Sequence, residues 1–88
     1  SGVTQAIRSR LNFTDDATWR KFSARRLELI DSMSLSTRKA SEQEKEIRKV
    51  AETLCVEFGF PTTALPDFDK LVRAAIQSAR RNRKRVPK

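Results

Sequence analysis

Residues 41–61 read SEQEKEIRKVAETLCVEFGFP. Ile47, Val50, Ala51, Leu54, Cys55 and Phe58 fall at the three- and four-residue intervals that line one face of an α-helix. Ser41 followed by Glu44 has the form of a capping box, in which each side chain satisfies a backbone N–H at the helix start. Gly59 is placed to end the helix, because glycine enters the left-handed conformation without steric cost, and Pro61 keeps it from resuming. A start, a stripe and a stop in one stretch predict a helix. The rest of the chain points the same way. Arg, Ala, Lys, Glu, Leu and Ser dominate, and no Asn-Gly or Asp-Gly pair signals a hairpin.

Three further segments carry the helical period. VTQAIRSRLN puts Val3, Ala6, Ile7 and Leu11 on one face, and Asn12-Phe13 breaks it. The next opens at TDDATW. Thr14 is the expected N-cap, Asp15 and Asp16 suit the positive end of the helix dipole, and Phe13 can staple onto the first turn. Trp19, Phe22, Leu29, Ile30 and Met33 form its stripe, which predicts helix from Asp15 to Met33. SLSTRKAS then reads as a polar loop. The linker PTTALP ends at Pro66, and Asp67 or Thr63 is the expected cap of a last helix. Its stripe is Phe68, Leu71, Val72, Ala75, Ile76 and Ala79, and Val86-Pro87 should end it. The expected fold is all-α: a small compact bundle of four helices, helix-turn-helix-like. It forms one domain over residues 1–88, with a basic end, 80–88, open to fraying.

Charge bounds the function. There are 19 Lys and Arg against 11 acids, a net +8 in 88 residues. Such an excess suits a polyanionic partner, most commonly nucleic acid and next an anionic membrane face; solubility alone is the plainer alternative. Residues 1–40 carry +4, residues 41–66 carry −2 and residues 67–88 carry +6. The middle helix therefore reads as structural, and the two ends of the chain hold the positive field. There is no His and no Gly-rich phosphate loop, so no His-based metal site or triad is expected, no cofactor, and no enzyme. Asp15-Asp16 fits a helix start better than an acid–base pair. The single Cys55 cannot form an internal disulfide and reads as a small buried hydrophobe. No signal-peptide pattern or bilayer-length apolar run is present, so a reducing compartment, cytosolic or nuclear, is expected.

Opposite the last apolar stripe stand Lys70, Arg73, Gln77, Arg80, Arg81 and Lys84, all donors and none acidic. An α-helix fits the DNA major groove, where Arg pairs with guanine and Gln with adenine by two hydrogen bonds each. Flanking cations would grip phosphates. A second candidate surface is STRKASEQEK. There Arg38 and Lys39 flank the N–H groups of a helix start, and Ser41, Gln43 and Lys45 lie within reach of base edges. A third is Arg20, Lys21 and Arg25, placed to reach phosphates. Each has a plainer reading: a solvated helix face, a capped loop, and a polar face with intrahelical pairs to Glu28. Trp19 sits at core spacing, which favours packing over base stacking.

The strings IRSRLNF, FSARRLELID, the following LS and KASEQ, and EFGFP together resemble the N-terminal domain of a fungal transcription-factor family named for regulating the vitamin H (biotin) transporter. The likeness covers roughly residues 3–61. It implies a nuclear, DNA-binding regulator acting on target promoters. It carries over no DNA contact, and residues 62–88 rest on their own chemistry. The expectation is sequence-specific binding of double-stranded DNA, with the last helix in the major groove and no membrane partner. A homodimer on DNA is neither required nor excluded by the sequence. The rivals are an RNA-binding module and a protein-interaction module using the same basic faces.

Overall fold

The computed structural model describes the backbone of residues 2–13 and 15–85 and the side chains of residues 4–13 and 15–82. Val3, Thr14, Lys84, Val86 and Pro87, to which the sequence reading gives roles, lie outside the described side chains. The described residues form four α-helices and no strand: α1 (Gly2–Arg10), α2 (Asp16–Ser32), α3 (Glu44–Glu57) and α4 (Leu65–Arg85). Short 3-10 turns at Leu35–Thr37, Ala40–Glu42 and Thr62–Ala64 join them. The fold is an all-α bundle.

Two helix ends are built alike. α3 stops at Gly59 (φ +72°), whose N–H donates to the Val56 carbonyl at 3.1 Å while the Phe60 N–H donates to Cys55 at 2.9 Å. This is a complete Schellman motif. α1 ends the same way, with Asn12 (φ +62°) in the left-handed position. Asn12 donates to Ser9 at 3.1 Å and Phe13 donates to Arg8 at 3.0 Å. In both motifs the next residue is a phenylalanine turned inward, and the Phe13 and Phe60 rings meet at 5.2 Å. The capping geometry therefore feeds the core directly.

That core gathers every aromatic residue of the chain. Phe13 contacts Trp19 at 5.2 Å and Phe22 at 5.1 Å. Phe22 in turn contacts Phe58 at 5.5 Å and Phe68 at 5.6 Å. Edge-to-face contacts of this kind add about 0.5–1.5 kcal/mol each beyond area burial. α4 lies across the other elements and packs most extensively on α3. Phe68, Leu71, Val72 and Ile76 are fully buried, each worth about 1.5–3 kcal/mol. The helix is thus docked through Ile76 before the basic run begins.

Several local expectations are corrected. Asp15 caps α2, accepting from the Thr18 N–H at 3.2 Å and the Thr18 hydroxyl at 2.6 Å, which holds its carboxyl below the usual range. Ala6 and Met33 face solvent. The Ser41–Glu44 capping box does not form: Ser41 is exposed in a 3-10 turn, and α3 starts at Glu44. The physical reason is Leu35. Its complete burial draws the connection inward, and Gln43 at the α3 start is buried with it. α4 begins at Leu65, two residues ahead of Asp67, with Pro66 in the first turn, where its missing N–H costs nothing.

Candidate nucleic-acid interface

The outer face of α4 is the counterpart of its buried stripe. Lys70, Gln77 and Arg81 are exposed and Arg80 is half-buried. After Asp69 the helix holds no carboxylate. Arg73 differs from its neighbours. Its Nε donates to Asp69 one turn back, and a second guanidinium nitrogen donates to Glu44 at the start of α3. Both partners raise its pKa, the Glu44 hydrogen bond most. Arg73 therefore ties α4 to α3 and is already engaged on two sides.

The connection between α2 and α3 packs on α4 through both of its 3-10 turns. The second candidate surface thus lies on a connection that packs against the helix carrying the first. Arg38, Lys39 and Ser41 are exposed there. Gln43 is not: it is 1% exposed, and its amide donates to the carbonyls of Leu35 at 2.5 Å and Arg38 at 3.1 Å. The expectation that it reaches base edges is thereby corrected, since its donors hold the loop that carries Arg38.

On α2, Arg20 and Lys21 are exposed, but Arg25 forms a fork to both Glu57 oxygens at 2.9 Å and a further bond to Glu28 at 2.9 Å. The Glu28 pair matches the plainer sequence reading. The cross-helix Glu57 pair, which contributes most to raising the Arg25 pKa and depresses that of Glu57, joins α2 to α3. α1 is fastened similarly. Arg10 binds both Asp67 oxygens at 2.6 and 3.2 Å, holding that carboxyl low, and Arg8 bonds Asp16 at 2.6 Å and the Phe13 carbonyl at 2.8 Å. No described lysine or arginine among Lys70, Arg80, Arg81, Arg38, Lys39, Arg20 and Lys21 has a carboxylate within ion-pair distance. Carboxylates thus sort the cations into fasteners and available charges.

Trp19 is half-buried in the aromatic core, with the Arg8 guanidinium 5.1 Å from its centroid. All the aromatics being in this cluster, no ring platform for unstacked bases is presented. Arg26 was not singled out by its charge. It stands four residues from both Phe22 and Ile30, on the apolar stripe of α2, and that placement is the available signal. Its side chain is half-buried against Phe22 and Trp19. Among the described residues, no cluster of three or more His, Cys, Asp or Glu is placed to hold a metal, and no helix is long and apolar enough to cross a membrane.

Residues 1–88 match the family described as Transcription factor Vhr1. The chain is 58% identical to Transcription factor VHR2 of Saccharomyces cerevisiae over 87 residues, and 53% identical to Transcription factor VHR1 of the same yeast over 88 residues. These alignments cover 99% and 100% of this chain but 17% and 14% of those proteins, so it spans about a sixth of their length. No solved structure matches it. The chain belongs to the Vhr1 transcription-factor family.

Proposed function

We propose that residues 1–88 form one DNA-binding domain of a nuclear transcription regulator that recognises specific sequences in duplex DNA. The outer face of α4 enters the major groove, with Gln77, Arg80 and Arg81 toward base edges and phosphates. Lys70, Arg38 and Lys39 grip the backbone, while Arg20 and Lys21 extend the field. The observation that carries the reading is that α4, docked through Ile76, carries no acid beyond Asp69 while Gln77, Arg80 and Arg81 follow on its outer side, and that the α2–α3 connection bearing Arg38 and Lys39 packs against the same helix. The printed names of the relatives, which are transcription factors, support the same role. The absence of a presented aromatic platform favours duplex over single-stranded RNA.

Selection on randomised duplex DNA, followed by fluorescence anisotropy on the winning site, tests the proposal. Arg80→Ala with Arg81→Ala should weaken binding roughly 10-fold or more at moderate salt, with an unchanged melting temperature. The equivalent removal of two exposed α3 cations outside the candidate surfaces, Arg48→Ala with Lys49→Ala, should change affinity by less than about 3-fold. Equal losses from the two pairs would show a non-specific field instead of a reading face. No enrichment in the selection would reject sequence recognition outright.

A further inference from the structure

α1, α2 and α4 enclose a cleft of about 390 Å³ whose polar lining comes from Thr4, Arg26, Gln77, Ser78 and Arg81. Arg26 is the unusual member. Its guanidinium lies 5.3 Å from the Phe22 ring centroid and 6.0 Å from that of Trp19, and one nitrogen donates to the Leu71 carbonyl at 3.2 Å. Its Nε is buried and has no hydrogen-bond partner. No carboxylate lies within ion-pair distance of it among the described residues. Burial pulls its pKa below the usual arginine value, yet arginine stays charged in proteins.

A half-buried cation without a countercharge is costly, and an unsatisfied donor adds to that cost. Arg10, Arg25 and Arg73 show the usual remedy in this molecule, since each is matched by a carboxylate. At Arg26 the cleft offers the reverse: a second cation, Arg81, with a hydroxyl or amide from Thr4, Ser78 and Gln77, and no acid. Two positive groups and three neutral donors converging on one concavity complement an anion with several oxygens. We infer that this cleft binds a phosphate-class oxyanion, with Arg26 as its inner ligand and Arg81 at its mouth. Arg81 and Gln77 also belong to the face proposed to meet DNA, so the source named here is a backbone phosphodiester. In that respect the inference rests on the DNA reading.

The test follows the Arg26 Nε–H resonance in the ¹⁵N-labelled 88-residue chain during two titrations: with the selected duplex, and with inorganic phosphate against chloride at equal ionic strength. Ser78→Asp places a carboxylate at the mouth of the cleft on an exposed helical position, and Arg26→Lys keeps the charge while removing the fork; thermal melts check both folds. A duplex-induced shift should be seen. Ser78→Asp should weaken duplex binding about 10-fold and lower the log–log salt slope by about one, as expected for one lost phosphate contact. Millimolar phosphate shifting the same resonance, with the shift abolished by Ser78→Asp, would identify a site that also takes free phosphate. If the duplex binds but neither titrant moves the signal and both variants keep wild-type affinity, the cleft is not an anion site. If the wild-type chain binds no duplex, the DNA reading fails by itself, and the phosphate arm still decides the cleft: a shift that Ser78→Asp removes upholds it, and a silent resonance overturns it.

Discussion

α3 and α4 bury apolar stripes against each other, yet their outer faces differ in kind. α3 presents Glu44, Glu52 and Glu57, each paired with an arginine, two of them on other helices. α4 has its acids, Asp67 and Asp69, only near its start, and both are occupied by Arg10 and Arg73. Helix-dipole complementarity favours acids first and bases last, but it acts within the first and last turns. Gln77, Arg80 and Arg81 precede the last turn of a helix that ends at Arg85, so the dipole does not account for them. The stripe on each helix says what it docks on. The placement of carboxylates says which arginines are left for a partner.

The two faces stand on one core, and removing its centre should abolish the contrast altogether. Phe22 is fully buried and touches Phe13, Trp19, Phe58 and Phe68. Phe22→Ala should cost about 3–5 kcal/mol, enough to populate unfolded chain in a fold this small. Urea unfolding followed by circular dichroism gives the value. A loss below about 1 kcal/mol would mean that the aromatic cluster does not carry the fold.

Next in size is Gln43, which holds the connection between α2 and α3 to the start of α3. Gln43→Ala removes the bonds to Leu35 and Arg38 and leaves two carbonyls unmet, a cost of about 1–3 kcal/mol. Duplex affinity should then fall only through a looser Arg38–Lys39 loop, with the preferred sequence unchanged. A changed preference in the selection would return Gln43 to the role of base reader.

The helices were legible because their cause is local. Spacing alone exposed the stripes of α3 and α4, and the left-handed requirement at Gly59 marked the α3 stop. The Ser41 capping box misled because its competitor is not local: Leu35, six residues earlier, gains more by entering the core than a cap provides at the surface. The ion pairs between helices were illegible for the same reason. Glu57 lies 32 residues from Arg25, and Glu44 lies 29 from Arg73, so no sequence pattern links them. Of the candidate site, the cationic stretch of α4 beyond Asp69 could be read from the sequence. Which of its arginines are engaged could not.

The smallest expected effect bears most directly on the contrast. Glu44 and Arg73 are both substantially exposed, so their pair contributes at most about 1 kcal/mol. Glu44→Gln should therefore leave the melting temperature within a few degrees. Its effect on binding should be larger in information than in size. Removing an acid from the α3 side raises the local positive potential and leaves Arg73 with Asp69 as its remaining carboxylate. If acids on α3 confine the reading face to α4, duplex affinity should rise about 2- to 5-fold at low salt, and the gain should shrink as salt rises. Anisotropy titrations at several chloride concentrations measure both. A loss of affinity would mean that the pair positions Arg73 for the duplex instead of withholding it. The boundary between fastener and reader would then move one turn toward the start of α4.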